Sequence, residues 1–161
     1  MSANHARDLS LARRIIKEAK RCGADAVKIQ TYVPDTMTMK SDKPFFRIGH
    51  SKWKGRTLYD LYKEAHTPWK WHEELKRTAE REDIILFSTP FDKTAVDMLE
   101  DLRMPLYKVA SFELTDLPMI KRIAWTGRPI IMSTGMATLS EIKEAVRAAK
   151  GGGAKDIILL K

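Results

Sequence analysis

Two lysines sit at matching places in this chain. Lys28 and Gln30 follow each other at alternate positions near the end of one short apolar run, AVKIQTY over residues 26–32. Lys108 occupies the same place in a second run, with Ser111 and Glu113 three and five residues further on. Thr89, in the run STPFD at Ser88–Asp92, adds a hydroxyl at the end of a third. A lysine projecting from a strand end is costly to bury unless an anion meets it. Two amines with Ser and Thr hydroxyls converging on one face suit a ligand that carries a phosphate and a carboxylate. Glu113 fits a general acid or base, or equally a surface residue that opens the next loop.

These residues need a frame that repeats. STPFD, YKVASFE at Tyr107–Glu113 and MSTGM at Met132–Met136 each begin where an apolar stretch gives way to small and polar residues. An amphipathic helical stretch follows each. Strands are read over 26–32, 84–88, 106–110, 129–133 and 156–160, with a stub at 1–3. Helices are read over 9–22, 57–65, 69–82, 94–102, 117–125 and 140–150. Asp8 is a candidate N-cap and Gly23 a stop for the first helix, whose apolar face is Leu11, Ile15, Ile16 and Ala19. Thr138 with Glu141 has capping-box spacing. The segment 33–56, with Pro34, Pro44, Gly49 and Gly55, reads as a long functional excursion. Alternating elements with short connections predict parallel strands joined by right-handed crossovers, with the chemistry at their carboxyl ends.

No GxGxxG or GxxxxGK[ST] run is present, and Gly151–Gly153 follows a helix, so it reads as a stop rather than a nucleotide cradle. A closed eight-stranded barrel takes roughly 250 residues, and this chain has 161. The fold expected is α/β: a partial TIM (β/α)8 barrel of five to six parallel strands with flanking helices. All 161 residues belong to that one incomplete domain.

Composition narrows the function classes. Hydrophobic residues make up 43% and charged residues 31%, the balance of a folded globular protein. No apolar stretch approaches the roughly 18 residues of a membrane span, and a single cysteine, Cys22, fits a reducing cytoplasm. The net charge of +8 is spread over helices where Lys and Arg alternate with Glu and Asp. That is a solvated surface rather than a nucleic-acid platform. Asn4-His5 follows the first strand stub, where a lone histidine is more often structural than a metal ligand. His66 and His72 lack ligand spacing for a helix. Trp53, Trp69 and Trp71 could line a sugar pocket, although packing is the commoner use of tryptophan.

Taken together and in order, SANH, GADAVKIQTY, STPFD, YKVASFE, PIIMSTGM and DIILLK resemble the sialic acid synthase family. DTMTMK, the run from Trp53 to Leu75 and FDKTAVDMLEDL look most like its pseudaminic acid branch. The resemblance implies condensation of phosphoenolpyruvate with an open-chain amino sugar to give a nonulosonic acid and phosphate. Lys28, Thr89, Lys108 and Ser111 match the residues that hold phosphoenolpyruvate. Gln30 matches one close to the sugar, and Glu113 the carboxylate near the reacting carbons. It further implies a divalent metal, manganese or magnesium, and a cytoplasmic homodimer of the full-length enzyme. The family's first glutamate, metal-binding histidines, Asn/Tyr pair and small C-terminal domain have no match in residues 1–161. The expectation for this chain is therefore a fragment that is inactive alone and prone to self-association through unpaired strand edges. A sialic or legionaminic acid synthase is the alternative. A non-catalytic domain that retains only anion binding is a third reading.

Overall fold

The computed structural model describes residues 1–50 and 53–161. Contacts divide the chain into two compact units, Met1–Ile84 and Ile85–Lys161.

The first unit is built around one strand and two helices. Helix α1, Leu9–Arg21, starts where the Asp8 carboxylate accepts from the amides of Ser10 and Leu11. It stops at Cys22, followed by Gly23 at φ +83°. Its buried line runs through Ala12 and Ile16, while Leu11, Ile15 and Ala19 flank it half-buried. The face is therefore rotated from the one expected, with small Ala12 at its centre. Strand β1, Ala26–Thr31, alternates as predicted: Val27, Ile29 and Thr31 are buried, and Ala26, Lys28 and Gln30 are half-buried.

The stub at residues 1–3 is not a strand. The Met1 nitrogen donates to the Lys28 carbonyl at 2.5 Å, but the chain then turns into a single 3₁₀ turn, Ala3–His5. The excursion 33–56 is better ordered than a bare loop. It carries the short helix α2, Pro34–Met37, a 3₁₀ turn at Pro44–Phe46 and an antiparallel bridge between Arg47 and Thr57. Two of its positions, 51 and 52, lie outside the described residues. Helix α3, Leu58–Ala65, is capped by Thr57. The helix expected over 69–82 begins as a 3₁₀ turn at Trp69–Trp71, and α4 proper is His72–Arg81. Arg13–Glu74, Lys17–Glu82 and Lys20–Asp83 pairs at 3.4–3.6 Å link α1 to α4 and its exit. Part of the basic surplus is thus spent on a solvated ion-pair surface.

The second unit alternates strictly. Strand β2, Ile85–Pro90, leads to α5, Lys93–Asp101; β3, Tyr107–Val109, leads to α6, Leu117–Ala124. Strand β4, Ile130–Ser133, leads to α7, Leu139–Gly151, and β5 is Ile157–Leu160. Strands β2 to β5 lie side by side in chain order and pair in parallel, with Ser88 opposite Tyr107, Lys108 opposite Ile131 and Met132 opposite Leu159. Helix α7 opens on a full capping box, in which the Glu141 amide donates to Thr138 and the Thr138 amide to Glu141. At its other end Gly152 does more than stop the helix: a Cβ there would stand 2.7 Å from that of Ala124, so glycine lets α7 close on α6. Parallel strands that follow one another through helices leave every carboxyl end, and every loop after it, on one edge.

Candidate active site

In the second unit three strand ends and one turn bring the predicted residues to a common edge. Thr89 closes β2 and is buried. Lys108, the half-buried centre of β3, is flanked by buried Tyr107 and Val109, which fix its backbone. Its amine donates to the Val109 carbonyl at 3.2 Å and to Ser133 Oγ at the end of β4. Ser111 opens the 3₁₀ turn Ser111–Glu113 that leaves β3. The ammonium and the serine hydroxyl thus set two hydrogen-bonding groups side by side at the end of a parallel strand.

Ser133 was not singled out from the sequence. Its signal was the run MSTGM, read only as a strand end; what marks the residue is the parallel register that sets β4 beside β3. Glu113 stands at the far end of the same turn. Burial pushes its carboxyl up to about 7, and the nearby acids Asp116 and Asp92 push in the same direction. Asp92 caps α5 through Oδ1, which accepts from the Ala95 amide at 2.8 Å. Its Oδ2 is buried with no hydrogen-bond partner. Phe112, between Ser111 and Glu113, stacks on Phe91 at 5.9 Å and anchors the turn.

In the first unit Lys28 and Gln30 share the half-buried face of β1, as the alternation required. Burial holds the Lys28 amine below its ordinary value. Gln30 Oε1 accepts from Ser2 Oγ at 2.5 Å, which brings the segment preceding α1 alongside it. That segment is tightly held. His5 is fully buried; its Nδ1 accepts from the Arg7 amide at 3.1 Å, and its Nε2 lies 3.4 Å from Thr67 Oγ1. Ala6 and Arg7 both take left-handed conformations, φ +47° and +57°, each costing a non-glycine residue roughly 1–2 kcal/mol. A cavity of about 450 Å³ lies against this turn, with Trp53 and Glu64 among its other walls.

His72 is buried as well, with Nε2 2.8 Å from Thr31 Oγ1 and Nδ1 3.3 Å from the Pro68 carbonyl. Both ring nitrogens of His5 and His72 are therefore engaged in the fold. Among the described residues no group of three or more His, Cys, Asp or Glu is placed to hold a metal ion. The residues present do not fit the divalent metal that the resemblance implies. Trp71 packs edge-on against His5 and is core; Trp69 donates from its indole to the Tyr32 carbonyl; Trp53 lines the cavity beside the Ala3–His5 turn. No helix among the described residues is long and apolar enough to cross a membrane.

The element order and the parallel strand pairing are those of an α/β barrel, and comparison with known proteins agrees. A solved N-acetylneuraminic acid synthetase from Leptospira borgpetersenii superposes with a TM-score of 0.83 at 29% identity, over 98% of this chain and 50% of that one. The fold is accordingly a partial barrel of five parallel strands with flanking helices. The NeuB family description matches residues 15–161, and the chain belongs to the NeuB family. It is 44% identical over its whole length to a pseudaminic acid synthase of Helicobacter pylori and 36% identical over 94% of its length to an N,N'-diacetyllegionaminic acid synthase of Campylobacter jejuni. It spans 47% and 46% of those two proteins, about half of each.

Proposed function

We propose that this chain is the phosphoenolpyruvate-binding part of a nonulosonic acid synthase. The reaction joins phosphoenolpyruvate to 2,4-diacetamido-2,4,6-trideoxy-altrose to give pseudaminic acid and phosphate. The observation that carries the reading is the Lys108 amine held on Ser133 Oγ at the strand-end edge that also bears Thr89 and Ser111. The 44% identity to a pseudaminic acid synthase, against 36% to a legionaminic acid synthase, supports the altrose acceptor.

Each residue then has a task. Lys28, Thr89, Lys108 and Ser111, with Ser133 added, hold the phosphate and carboxylate of phosphoenolpyruvate; the amines stabilise charge and the hydroxyls supply directed donors. Gln30 lies on the acceptor side. The methylene carbon of phosphoenolpyruvate attacks the sugar aldehyde, water adds to the oxocarbenium ion left at the neighbouring carbon that bears the phosphate, and phosphate departs with its bridging oxygen by cleavage of that C–O bond. Glu113, poised to gain or lose a proton near neutral pH, is assigned the proton transfer that accompanies these steps. A divalent metal, manganese or magnesium, is part of the proposal, with none of its ligands assigned to residues described here. So is a homodimer of the full-length protein.

The test is phosphate release from phosphoenolpyruvate by the full-length protein, with the altrose, the legionaminic precursor and N-acetylmannosamine offered as acceptors. Release with the altrose alone, abolished in Lys108→Met, is expected. Release with another acceptor instead moves the assignment to that branch. Binding of phosphoenolpyruvate without release under any acceptor would leave only an anion-binding domain.

A further inference from the structure

His5 takes no part in the chemistry proposed above, yet it is fully buried in the turn whose preceding residue, Ser2, donates to Gln30. We infer that His5 is a positioning residue: through Nδ1 it locks the Ala3–Arg7 turn, and that turn forms one wall of the acceptor-side cavity. The inference rests on the assignment of Gln30 to the acceptor.

Three observations converge on this. First, the turn is held in a shape that its residues would not choose. Ala6 and Arg7 are consecutive left-handed residues without a glycine between them, so something must over-determine the conformation. The bond from the Arg7 amide to His5 Nδ1 spans that pair at 3.1 Å, and the Asp8 amide returns to the His5 carbonyl at 2.8 Å.

Second, the imidazole is itself pinned. Its ring meets Trp71 edge-on at 5.4 Å between centroids, and Nε2 faces Thr67 Oγ1. Since Nδ1 accepts from a backbone amide, the ring is the neutral tautomer with its proton on Nε2. Burial favours that neutral form, as do Arg7 and His66, which face the ring.

Third, the wall that His5 braces is the one that matters for a ligand. Ala3, Asn4, Ala6 and Arg7 line the 450 Å³ cavity together with Trp53 and Glu64. Ser2, just before them, donates its amide to Asn4 Oδ1 and its hydroxyl to Gln30. The same turn thus sets the cavity wall and orients Gln30. Asn4 and Arg7 offer amide and guanidinium donors, Glu64 a carboxylate and Trp53 an apolar ring, a mixture suited to a polyhydroxylated, N-acetylated sugar.

The two nitrogens can be separated by substitution. In His5→Asn, the amide oxygen stands near the place of Nδ1 and can still accept from Arg7; His5→Gln reaches instead to the place of Nε2; His5→Phe keeps the ring against Trp71 and loses both. In the full-length synthase we expect acceptor KM to rise about tenfold in the Phe and Gln variants and to recover to within about threefold of wild type in Asn. Phosphoenolpyruvate KM should stay within about twofold throughout. Asn and Gln behaving alike, or both substrates shifting together, would overturn the inference. Hydrogen exchange at the Arg7 amide gives a readout that needs no turnover: at least tenfold faster exchange in Gln than in Asn is expected, and equal exchange refutes the bond's role. If wild type itself turns over no substrate, the function proposed above fails, and the exchange result still decides this one.

Discussion

At Glu113 burial and two neighbouring acids act in one direction, and the group is left titrating near pH 7. A carboxyl with the ordinary value would be fully ionised there and could only accept a proton; this one can give or take. Glu113→Gln keeps the shape and removes the titration. In the full-length synthase kcat should fall by about 10²–10⁴-fold, and the limb of the rate profile near pH 7 should disappear. A variant that keeps that limb would assign it to another group. Ser133 is tested separately: its hydroxyl meets the Lys108 amine, so Ser133→Ala should weaken phosphoenolpyruvate binding by about tenfold in calorimetry, the loss of one hydrogen bond to a charged group. Unchanged affinity would make Ser133 a spectator.

At the level of elements, the helix ends at Asp8, Gly23 and Thr138 were legible because caps are local, and the structure adds three more of the same kind. Asp8, Thr57, Asp92, Asp116 and Thr138 each accept from amides of the turn that follows, a relation written within three residues of sequence. Thr138→Ala removes one half of the α7 capping box. It should cost about 1 kcal/mol and lower the melting temperature by roughly 2–4 °C for a chain of this size; no shift would mean that α7 is held by packing against α6 alone. Strand alternation was legible for the same reason, and it placed Lys28, Gln30 and Lys108 on half-buried faces. What the sequence hid depends on partners distant along the chain. Ser133 acquires its meaning from Lys108, 25 residues earlier, and His5 from Thr67, 62 residues later. The 3₁₀ start at Trp69–Trp71 was hidden too, because Trp71 is recruited into the core beside His5, and tertiary packing overrides helical periodicity there.

On the scale of the whole molecule, the two units should respond to acid in opposite ways. His72 in Met1–Ile84 is buried neutral, and burial lowers its value to about 4 from an ordinary 6.5. Between those values the unfolded chain binds the proton and the folded one does not. Its stabilisation is therefore complete above pH 6.5 and lost as pH falls towards 4, by at most about 3 kcal/mol. Glu113 in Ile85–Lys161 has the reverse sign. Its folded value of about 7 lies above the ordinary 4.5, so the folded state holds the proton longer, and the penalty for ionising it is relieved as pH falls from 7 to 4.5. Hydrogen exchange, corrected for its intrinsic pH dependence, reads the two separately. Between pH 7 and pH 5 protection should fall across residues 1–84, most around Thr31 and His72, while residues 85–161 hold or gain around the 111–113 turn. A uniform loss across both would mean that the units melt as one, or that neither group carries the pH dependence of its own unit.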